Sequence, residues 1–442
     1  MSEQVTMDKL VALCKQRGFV FPGSEIYGGL ANSWDYGPLG VELKNNIKAA
    51  WWKKFVTQRL DMVGIDAALI MNPKVWEASG HVATFSDPLV ECRQCHERYR
   101  ADQIDTAKPC QKCGNRDTFT APAAFNLMFK TFIGPKEDST NVAFLRPETA
   151  QAMFVDFPQV LMASRKRVPF GVAQCGRAFR NEITPGNFIF RQREFDLMEF
   201  EFFVHPSEWE KWFAYWLAQM HEWIAECGID GARVHELEVS EEERAHYSKR
   251  TVDFEFDYPF GRKELYGLAY RTDFDLANHA KNSGKDLIYT DPATNEKYVP
   301  HVVEPAFGVD RTFLAVMLSA YQEETVAGED GAAETRVVLR LPKHLAPTKI
   351  AVLPLSKKDE LSSVARPLAE KLAKQWRTDY DETQSIGKRY RRQDEIGTPY
   401  CVTVDFETLT DNAVTVRDRD TMLQERVKLD ELESYLSQKL SV

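Results

Sequence analysis

Apolar side chains recur at helical spacing in two long segments of the chain. The first spans residues 39–64, and its apolar face comprises Leu39, Leu43, Ile47, Trp51 and Phe55. The second spans residues 207–228, and its stripe comprises Trp212, Phe213, Trp216, Leu217, Met220, Trp223 and Ile224. This spacing predicts two amphipathic helices packed on a core. We expect Gly64 to end the first helix and the apolar run 65–71 to follow as a strand.

A different alternation begins near Pro347. Short apolar runs at 349–355 and 400–406 predict strands, and the segments 359–375 and 429–440 predict helices. Strands that alternate with helices indicate a separate α/β domain, which we assign to residues 347–442. The unit before it, residues 1–340, ends with a Gly-rich and acidic stretch at 323–334 that we expect to be an exposed excursion.

The segment 179–203 predicts two strands joined by a polar Pro-Gly-Asn turn. Side chains alternate along a strand, so one face of this hairpin would carry Arg180, Glu182, Phe195, Glu199 and Glu201. A purely structural hairpin does not place such groups on one face unless that face binds something charged. An arginine for a phosphate, an aromatic ring for a base and carboxylates for an ammonium group together predict a nucleotide beside an amino acid.

The overall composition is that of a soluble protein. Hydrophobic residues make up 43% of the 442 residues and charged residues 28%. Residues 1–18 lack a signal-peptide core, and no apolar run approaches the roughly 20 residues of a membrane span. We therefore expect a cytoplasmic protein with no membrane partner. The net charge of −10 argues against wrapping duplex DNA, but local basic clusters at 165–167 and 388–392 leave nucleic-acid binding open.

Four of the eight cysteines form two CxxC pairs, Cys92 with Cys95 and Cys110 with Cys113, separated by fourteen residues. This is close to the spacing of a zinc ribbon, in which two polar turns supply four thiolates to Zn²⁺. Two disulfides are the alternative, but a cytosolic setting keeps thiols reduced. We predict a structural zinc site, because four protein thiolates leave no open coordination position; His96 is a possible substitute ligand.

A third element that bears on chemistry is the segment 301–321. Residues 301–304 predict a short strand, residues 305–308 a turn and residues 311–321 a helix. Gly308 permits close approach to the backbone, and Arg311 enters the first turn of the helix. The N-terminus of a helix favours an anion, and an arginine there adds a bidentate phosphate contact. An isolated arginine at a helix start is usually a surface residue, so its weight here depends on the hairpin.

These segments resemble the three motifs of the class II aminoacyl-tRNA synthetases. The string 179–182 (Phe-Arg-Asn-Glu), with Arg191 and Phe195, resembles motif 2, and the segment 308–311 with its helix resembles motif 3. The helix from Leu39 and the strand that ends at Pro73 resemble motif 1, the dimer-interface element. The sequence contains no phosphate-binding P-loop and no Rossmann glycine fingerprint, so other modes of ATP binding lack support.

Within that class, local strings resemble the homodimeric glycyl-tRNA synthetases of class IIa. They lie at 34–40, 146–151, 271–276 and 387–390, and the resemblance extends from about Gly18 to the C-terminus. It implies an α+β fold with an antiparallel sheet flanked by helices: a class II catalytic domain at 1–340, a zinc-ribbon-like insertion at 90–120 and an α/β anticodon-binding domain at 347–442. It also implies a homodimer that uses ATP with Mg²⁺, glycine and tRNA(Gly).

The resemblance further implies roles for individual residues in the ATP site. Arg180 would contact the α-phosphate, Arg311 the γ-phosphate and Arg191 an outer phosphate. Phe195 would stack on adenine, with Arg311 over its other face, and Glu182 would accept from the adenine amino group. Glu264 would help to hold Mg²⁺. The remaining residues implied for this site are Asn181, Phe190, Leu265 and Gly308.

Glycine has no side chain, so its pocket can only hold the ammonium and carboxylate groups and exclude larger molecules. The resemblance implies that Glu148, Glu199 and Glu304 bind the ammonium group or fill the pocket. The other residues implied for glycine binding are Arg100, Arg271, Phe195 and Gly308. One departure stands out, because this chain has Ala306 where the family usually has serine. We predict that a neighbouring polar group or a water replaces the missing hydroxyl.

Three alternatives remain open from the sequence. A synthetase for serine, threonine or proline is disfavoured by the Trp-Asp-Tyr string at 34–36 and by the lack of an editing domain. A catalytically silent, synthetase-like RNA-binding or regulatory protein would typically have lost phosphate-binding arginines, whereas Arg180, Arg191 and Arg311 are all present. A zinc-ribbon nucleic-acid binder would leave the carboxylate-rich hairpin unexplained.

Overall fold

The computed structural model describes residues 5–327 and 333–441. Its largest element is a seven-stranded sheet, antiparallel throughout except for one parallel edge strand. In spatial order its strands are Val234–Glu238, Arg250–Tyr258, Gly261–Thr272, His301–Gly308, Glu194–Val204, Phe170–Phe179 and Met62–Gly64. Helices pack against this sheet, so the predicted α+β class is confirmed.

Nine α-helices lie in the described residues that precede the C-terminal unit. They are Met7–Arg17, Pro38–Trp52, Pro73–Ala78, His81–Thr84, Ala150–Val155, Phe157–Ser164, Trp209–Glu226, Phe274–Ser283 and Val309–Ala320. Most residues of the stripes predicted from apolar spacing are buried: Leu43, Ile47, Trp51 and Phe55 of the first segment join Trp216, Met220 and Trp223 of the second in one core. That core supports one face of the large sheet.

The first helix ends earlier than the apolar pattern predicts. It spans Pro38–Trp52 and continues as one π-helical turn, Lys53–Thr57. Gly64 does not end it but lies in the edge strand Met62–Gly64, where a Cβ atom would come within 2.2 Å of the Trp52 ring. The predicted strand at 65–71 is wrong, because after Gly64 the chain leaves the sheet and most of these side chains are exposed.

The segment 301–308 is a continuous strand, and the turn predicted at 305–308 is wrong. His301–Gly308 pairs with Gly261–Thr272 on one side and with Glu194–Val204 on the other. Proline donates no backbone hydrogen bond, and the pairing with Glu194–Val204 is interrupted opposite Glu304 and Pro305. The strand thus accommodates Pro305 because its pairing with Glu194–Val204 is missing at that position.

This unit also contains several smaller sheets. Their paired strands are Val20–Pro22 with Trp34–Tyr36; Ser86–Glu91 with Arg98–Arg100 and Ala123–Asn126; Lys130–Phe132 with Val142–Phe144; Tyr289–Thr290 with Lys297–Tyr298; and Tyr321–Ala327 with Ala333–Leu339. The last pair is a hairpin that includes most of the excursion expected at 323–334. Residues 328–332 of that excursion lie outside the described residues.

The C-terminal residues form a second sheet with a core of its own. In spatial order its strands are Thr378–Tyr380, Ile350–Pro354, Tyr400–Val404, Ala413–Asp418 and Gln424–Lys428. Its helices are Asp359–Leu372, Ile386–Ile396, Thr408–Asp411 and Leu432–Leu440. The alternation read from the sequence located two of these strands and two of these helices; the strongly polar helix Ile386–Ile396 escaped it.

Candidate active site

A cavity of about 500 Å³ opens between the large sheet, the insertion and the start of the helix Val309–Ala320. Most of the residues predicted from the sequence line it, although they come from distant parts of the chain. The predicted residues in its wall are Arg100, Glu148, Arg180, Glu182, Phe190, Arg191, Phe195, Glu199, Glu264, Leu265, Glu304, Gly308 and Arg311. The sheet brings them together because strand Glu194–Val204 pairs with Phe170–Phe179 on one side and His301–Gly308 on the other.

Two predicted residues do not line this cavity. Asn181 lies in a neighbouring cleft behind the hairpin, and its backbone N–H donates to the Leu127 carbonyl at 2.8 Å. Arg271 is 1% exposed and lies behind Glu304 rather than in the wall. The first strand of the hairpin also ends at Phe179, so Arg180 and Glu182 reach the cavity from the segment just beyond it.

One end of the cavity is built from arginines and aromatic rings. The Arg180 guanidinium carbon lies 5.3 Å from the Phe195 ring centre and 5.4 Å from that of Phe85. Its Nε atom donates to the Pro147 carbonyl at 3.1 Å. Arg180 is therefore fixed between two rings, with its remaining donors available to an anion.

Arg311 is held in a comparable way on the opposite wall. Its guanidinium carbon lies 4.6 Å from the Phe190 ring centre, and its Nη1 atom lies 3.1 Å from a carboxylate oxygen of Glu264. The positive charge of Arg311 lowers the pKa of Glu264 against the opposing effect of burial. Glu182 is nearby in the wall, and its Oε2 atom has no hydrogen-bond partner among the described residues.

The other end of the cavity is built from three carboxylates with separate partners, of which Glu199 and Glu304 are buried and Glu148 is partly buried. Glu148 lies 3.2 Å from His81 Nε2 and accepts from Gln151 Nε2 at 3.0 Å. Glu199 accepts from the backbone N–H of Thr149 at 2.8 Å and from the Thr149 hydroxyl. Each carboxylate is oriented by the protein while part of it remains in the cavity wall.

Glu304 completes this carboxylate end. Both of its oxygens lie 3.0 Å from Nη1 of Arg271. The other side of that guanidinium binds Asp275, at 2.8 Å and 2.9 Å. The Tyr247 ring centre lies 3.7 Å from the Arg271 guanidinium carbon. A buried arginine thus anchors the carboxylate from behind.

The electrostatics of these carboxylates differ. Burial alone would raise the pKa of Glu148, but His81, Arg271 and Gln151 outweigh it and the pKa is lowered. Burial, with Glu199 and Glu148 close by, raises the pKa of Glu304 to about 8 despite Arg271. Burial and Glu148 raise the pKa of Glu199. Burial thus disfavours the ionised forms of Glu199 and Glu304, and a cationic group that entered the cluster would favour those forms.

Several residues of the wall were missed from the sequence, and they include Phe85, Gln192, Arg244, Tyr247 and Asp253. Asp253 is notable because burial, Glu264 and Glu255 raise its pKa to about 7. It sits directly opposite Gly267 on the paired strand, and that register places its side chain over the cavity. Strict alternation along 250–258 was the signal that could have found it.

Arg100 links the cavity to the insertion. It ends the strand Arg98–Arg100 and makes ion pairs with Asp87 at 2.7 Å and Asp102 at 2.8 Å. The strand pairs with Ser86–Glu91, and the cysteine pairs lie just beyond it. The conformation of the insertion therefore determines where Arg100 stands in the wall.

The four cysteines of the insertion converge on one point. Their sulfur atoms all lie within 4.8 Å of one another. Two of the separations, Cys92 to Cys113 and Cys95 to Cys110, are 3.7 Å. Four sulfurs placed tetrahedrally about 2.3 Å from Zn²⁺ would be about 3.8 Å apart. All four are free thiols, so the disulfide alternative is wrong in this structure, and the donor set fits zinc.

The basic cluster at 388–392 contains one buried arginine, and most of its other side chains are partly exposed. Arg389 is 1% exposed and donates to the backbone carbonyls of Pro354, Leu355 and Asp381. Arg392 pairs with Asp381, and Arg391 pairs with Glu334 at 3.0 Å. Arg389 is thus a structural residue. The nucleic-acid binding that the sequence leaves open for this cluster therefore does not involve Arg389, whereas Lys388 is exposed. Among the described residues, the helices are all too short or too polar to cross a membrane.

Comparison with known proteins adds independent information. Residues 131–321 match the family model of the tRNA synthetase class II core domain (G, H, P, S and T), and residues 349–439 match that of the anticodon binding domain. The chain is 53% identical to a glycine–tRNA ligase of Caldanaerobacter subterraneus, and both chains are covered completely. It is 52% identical to that of Thermobifida fusca, with 98% of each chain covered.

A third relative, the glycine–tRNA ligase of Geobacillus thermodenitrificans, is 54% identical over 99% of this chain and 98% of its own. The matches run through both sheets, the insertion and every segment that lines the cavity. Because such identities extend over nearly the full length of each protein compared, the chain belongs to the glycine–tRNA ligase family and carries the class II synthetase core.

Proposed function

We propose that this cavity joins glycine to ATP as glycyl-adenylate and that the glycyl group then passes to the 3′ end of tRNA(Gly). The observation that supports this most strongly is the division of one cavity into an arginine-aromatic end and a carboxylate end. Phe195 stands at the first end and Glu199 at the second, in a single strand. The two residues are roughly 13 Å apart along an extended backbone, which accommodates a nucleotide beside a small ammonium-bearing molecule.

At the nucleotide end, Phe195 stacks on one face of adenine and Arg311 covers the other while it reaches the γ-phosphate. Glu182 accepts a hydrogen bond from the adenine amino group, a role that suits an oxygen without a protein partner. Arg180 neutralises the α-phosphate, and Arg191 contacts the outer phosphates. The residues that form the surrounding wall are Phe190, Leu265 and Gly308.

In the first step, a carboxylate oxygen of glycine attacks the α-phosphorus, the bond to the bridging oxygen breaks and pyrophosphate leaves. Arg180 stabilises the charge that develops on the α-phosphate oxygens. In the second step, a hydroxyl of the terminal ribose attacks the carbonyl carbon, AMP leaves and the hydroxyl proton is released. Positioning and charge neutralisation carry both steps, so no nucleophilic side chain is required.

At the carboxylate end, Glu148, Glu199 and Glu304 accept hydrogen bonds from the glycine ammonium group. Arg100 contacts the substrate from the insertion side. Ala306 lies in the wall opposite Glu199. Because alanine has no hydroxyl group, the hydrogen-bonded Thr149–Glu199 pair supplies the polar groups there. A larger amino acid is excluded by a clash with the packed wall, which can exceed the roughly 1–3 kcal/mol available from one lost methyl contact.

Two metal ions fit the residues present. Mg²⁺ prefers carboxylate and phosphate oxygens, and Glu264 with Asp253 would hold it near the phosphates. Bound there, it would neutralise part of the phosphate charge. Zn²⁺ fits the four thiolates of Cys92, Cys95, Cys110 and Cys113, where it would act as a structural staple.

The remaining parts of the proposal concern assembly. Residues 1–340 form the catalytic domain with the insertion at 90–120, and residues 347–442 bind the anticodon of tRNA(Gly). The protein acts as a homodimer in the cytoplasm, as the resemblance implies. The rival function, a catalytically silent RNA-binding or regulatory protein, is disfavoured because Arg180, Arg191 and Arg311 all remain in the cavity wall.

The test is ATP–pyrophosphate exchange with glycine, alanine and serine measured in parallel. We expect exchange with glycine, at least about tenfold less with alanine, and a loss of at least about a hundredfold in Arg180→Ala. Arg262→Ala is the matched control, because Arg262 lies on the large sheet and, within the described ranges, forms an ion pair only with Asp257 at the surface. Exchange with none of the three amino acids would favour the silent protein, and equal rates with glycine and alanine would refute the proposed selectivity.

A further inference from the structure

A buried ammonium group connects the long first helix to the wall of the cavity. Lys44 lies in the helix Pro38–Trp52 and is 6% exposed. Its Nζ atom lies 3.1 Å from Asp196 and 2.9 Å from Asp310. The same atom lies 4.1 Å from the centre of the Tyr36 ring, and the Tyr36 hydroxyl donates to Asp310. Lys44 thus forms ion pairs with two carboxylates that belong to two other elements.

Each of the two carboxylates is next in sequence to a residue of the proposed ATP site. Asp196 follows Phe195 in the strand, and Asp310 precedes Arg311 in the first turn of its helix. They are also joined directly, because the backbone N–H of Asp196 donates to the second oxygen of Asp310 at 2.9 Å. The separation between Phe195 and Arg311 is therefore set through Asp196, Asp310 and Lys44.

Charge makes this arrangement dependent on Lys44. Asp196 is 7% exposed and Asp310 is 4% exposed, so neither carboxylate is well solvated. Burial would raise the pKa of Asp196, but Lys44, Arg177 and Lys48 outweigh it and the pKa is lowered. Asp310 has only the Lys44 ammonium as a charged partner among the described residues. Without Lys44, Asp196 would keep Arg177 and Lys48, but the buried Asp310 carboxylate would lose its cation and repel Asp196.

We propose that Lys44 is a positioning residue for ATP, which fixes the distance between the Phe195 ring and the Arg311 guanidinium through its contacts with Asp196 and Asp310. The inference rests on the ATP site proposed above. Lys44 touches neither substrate, and its effect passes through the backbone of the two residues next to its partners. The carboxylate end of the cavity is anchored separately, by Arg271, His81 and Thr149. Loss of Lys44 should therefore weaken the binding of ATP and leave the binding of glycine unchanged.

The test is the KM for ATP and the KM for glycine in pyrophosphate exchange with Lys44→Met. We expect the KM for ATP to rise at least about tenfold while the KM for glycine stays within about threefold. Lys44→Arg should recover part of the affinity for ATP, because it restores a cation. Lys53→Met is the matched control, since that side chain is exposed and lies in the π-helical turn that continues the same helix. A general structural defect would instead raise both KM values or lower kcat alone, and either result would overturn the proposal.

Tyr36→Phe provides a second variant if Lys44→Met fails to fold. It removes one hydroxyl donor from Asp310 and leaves both charges paired, so we expect a rise of about threefold in the KM for ATP alone. Phe195→Ala tests the proposed ATP site independently of Lys44. If Phe195→Ala leaves the KM for ATP unchanged, the proposed ATP site is wrong. If it raises that KM and neither Lys44→Met nor Tyr36→Phe does, the site stands and the role of Lys44 is refuted.

Discussion

Arg271 holds Glu304 from the side that faces away from the cavity, with Nη1 3.0 Å from both carboxylate oxygens. The sequence resemblance implied that Arg271 contacts glycine. The structure instead puts it behind the wall, 1% exposed and bound to Asp275 on its other edge. A planar guanidinium can bridge two carboxylates in this way, whereas an ammonium group cannot. We therefore predict that Arg271 influences glycine binding through Glu304.

Replacing that bridge should weaken glycine binding selectively. We expect Arg271→Lys to raise the KM for glycine at least about tenfold, equivalent to about 1.4 kcal/mol, with the KM for ATP within about threefold. The physical reason is that lysine keeps the charge but releases either Glu304 or Asp275 from a buried pair. Steady-state pyrophosphate exchange measures both constants. Arg262→Lys, on the same strand with an exposed partner, is the control, and an equal rise in both KM values would contradict the assignment.

The cysteine cluster predicts a metal content and a kinetic consequence. We expect one zinc per chain by mass spectrometry of the intact protein and loss of that zinc in Cys110→Ser. Because Arg100 follows the first cysteine pair and stands in the cavity wall, the same variant should raise the KM for glycine. Cys175→Ser removes a thiol outside the cluster and should change neither quantity. Markedly substoichiometric zinc after careful purification would count against the site.

The helix Ile386–Ile396 contains a buried structural arginine, Arg389, next to an exposed lysine, Lys388. Arg389→Gln should lower the melting temperature, because three backbone carbonyls would lose a buried, charged donor. Lys388→Gln should leave the melting temperature unchanged, since that side chain is exposed, and should weaken tRNA binding if this face contacts RNA. Thermal unfolding and filter binding at two salt concentrations distinguish the two effects. Unchanged affinity for Lys388→Gln at both salt concentrations would remove this face from the RNA contact.

The sequence was informative where chemistry follows local pattern. Side-chain alternation placed Phe195 and Glu199 on one face, and the spacing of the cysteine pairs predicted their convergence. The family and the fold class predicted from the resemblance are confirmed.

Long-range partners were beyond the reach of such patterns. Lys44 is one polar position in an amphipathic helix, and its importance arises from Asp196 and Asp310, far away in the sequence. Pro305 predicted a turn because proline is common in turns. Local propensity does not show that one neighbouring strand leaves Pro305 unpaired, which lets the strand continue. In the sequence Arg389 is one member of a basic cluster, and nothing local shows that it is buried, because the carbonyl groups that it binds belong to two other segments.

Glu201 predicts how stability changes with pH. It lies on the same strand face as Glu199, is fully buried, and neither of its carboxylate oxygens has a hydrogen-bond partner among the described residues. Burial, followed by the charge of Glu304, raises its pKa well above the usual value, and Glu199 and Asp275 act in the same direction against Arg271. The folded protein therefore retains a proton that the unfolded chain releases above about pH 4.3.

Since the folded state binds more protons than the unfolded state above that pH, this group makes stability fall as pH rises, by at most about 1.4 kcal/mol per pH unit. Glutamine has the same shape and no acidic proton. We expect Glu201→Gln to gain melting temperature relative to the parent protein as the pH is raised from 5 to 8, with little difference at the lower end. Glu238→Gln, an exposed carboxylate paired with Arg250, is the control. A difference in melting temperature that does not depend on pH would show that Glu201 has an ordinary pKa in the folded protein.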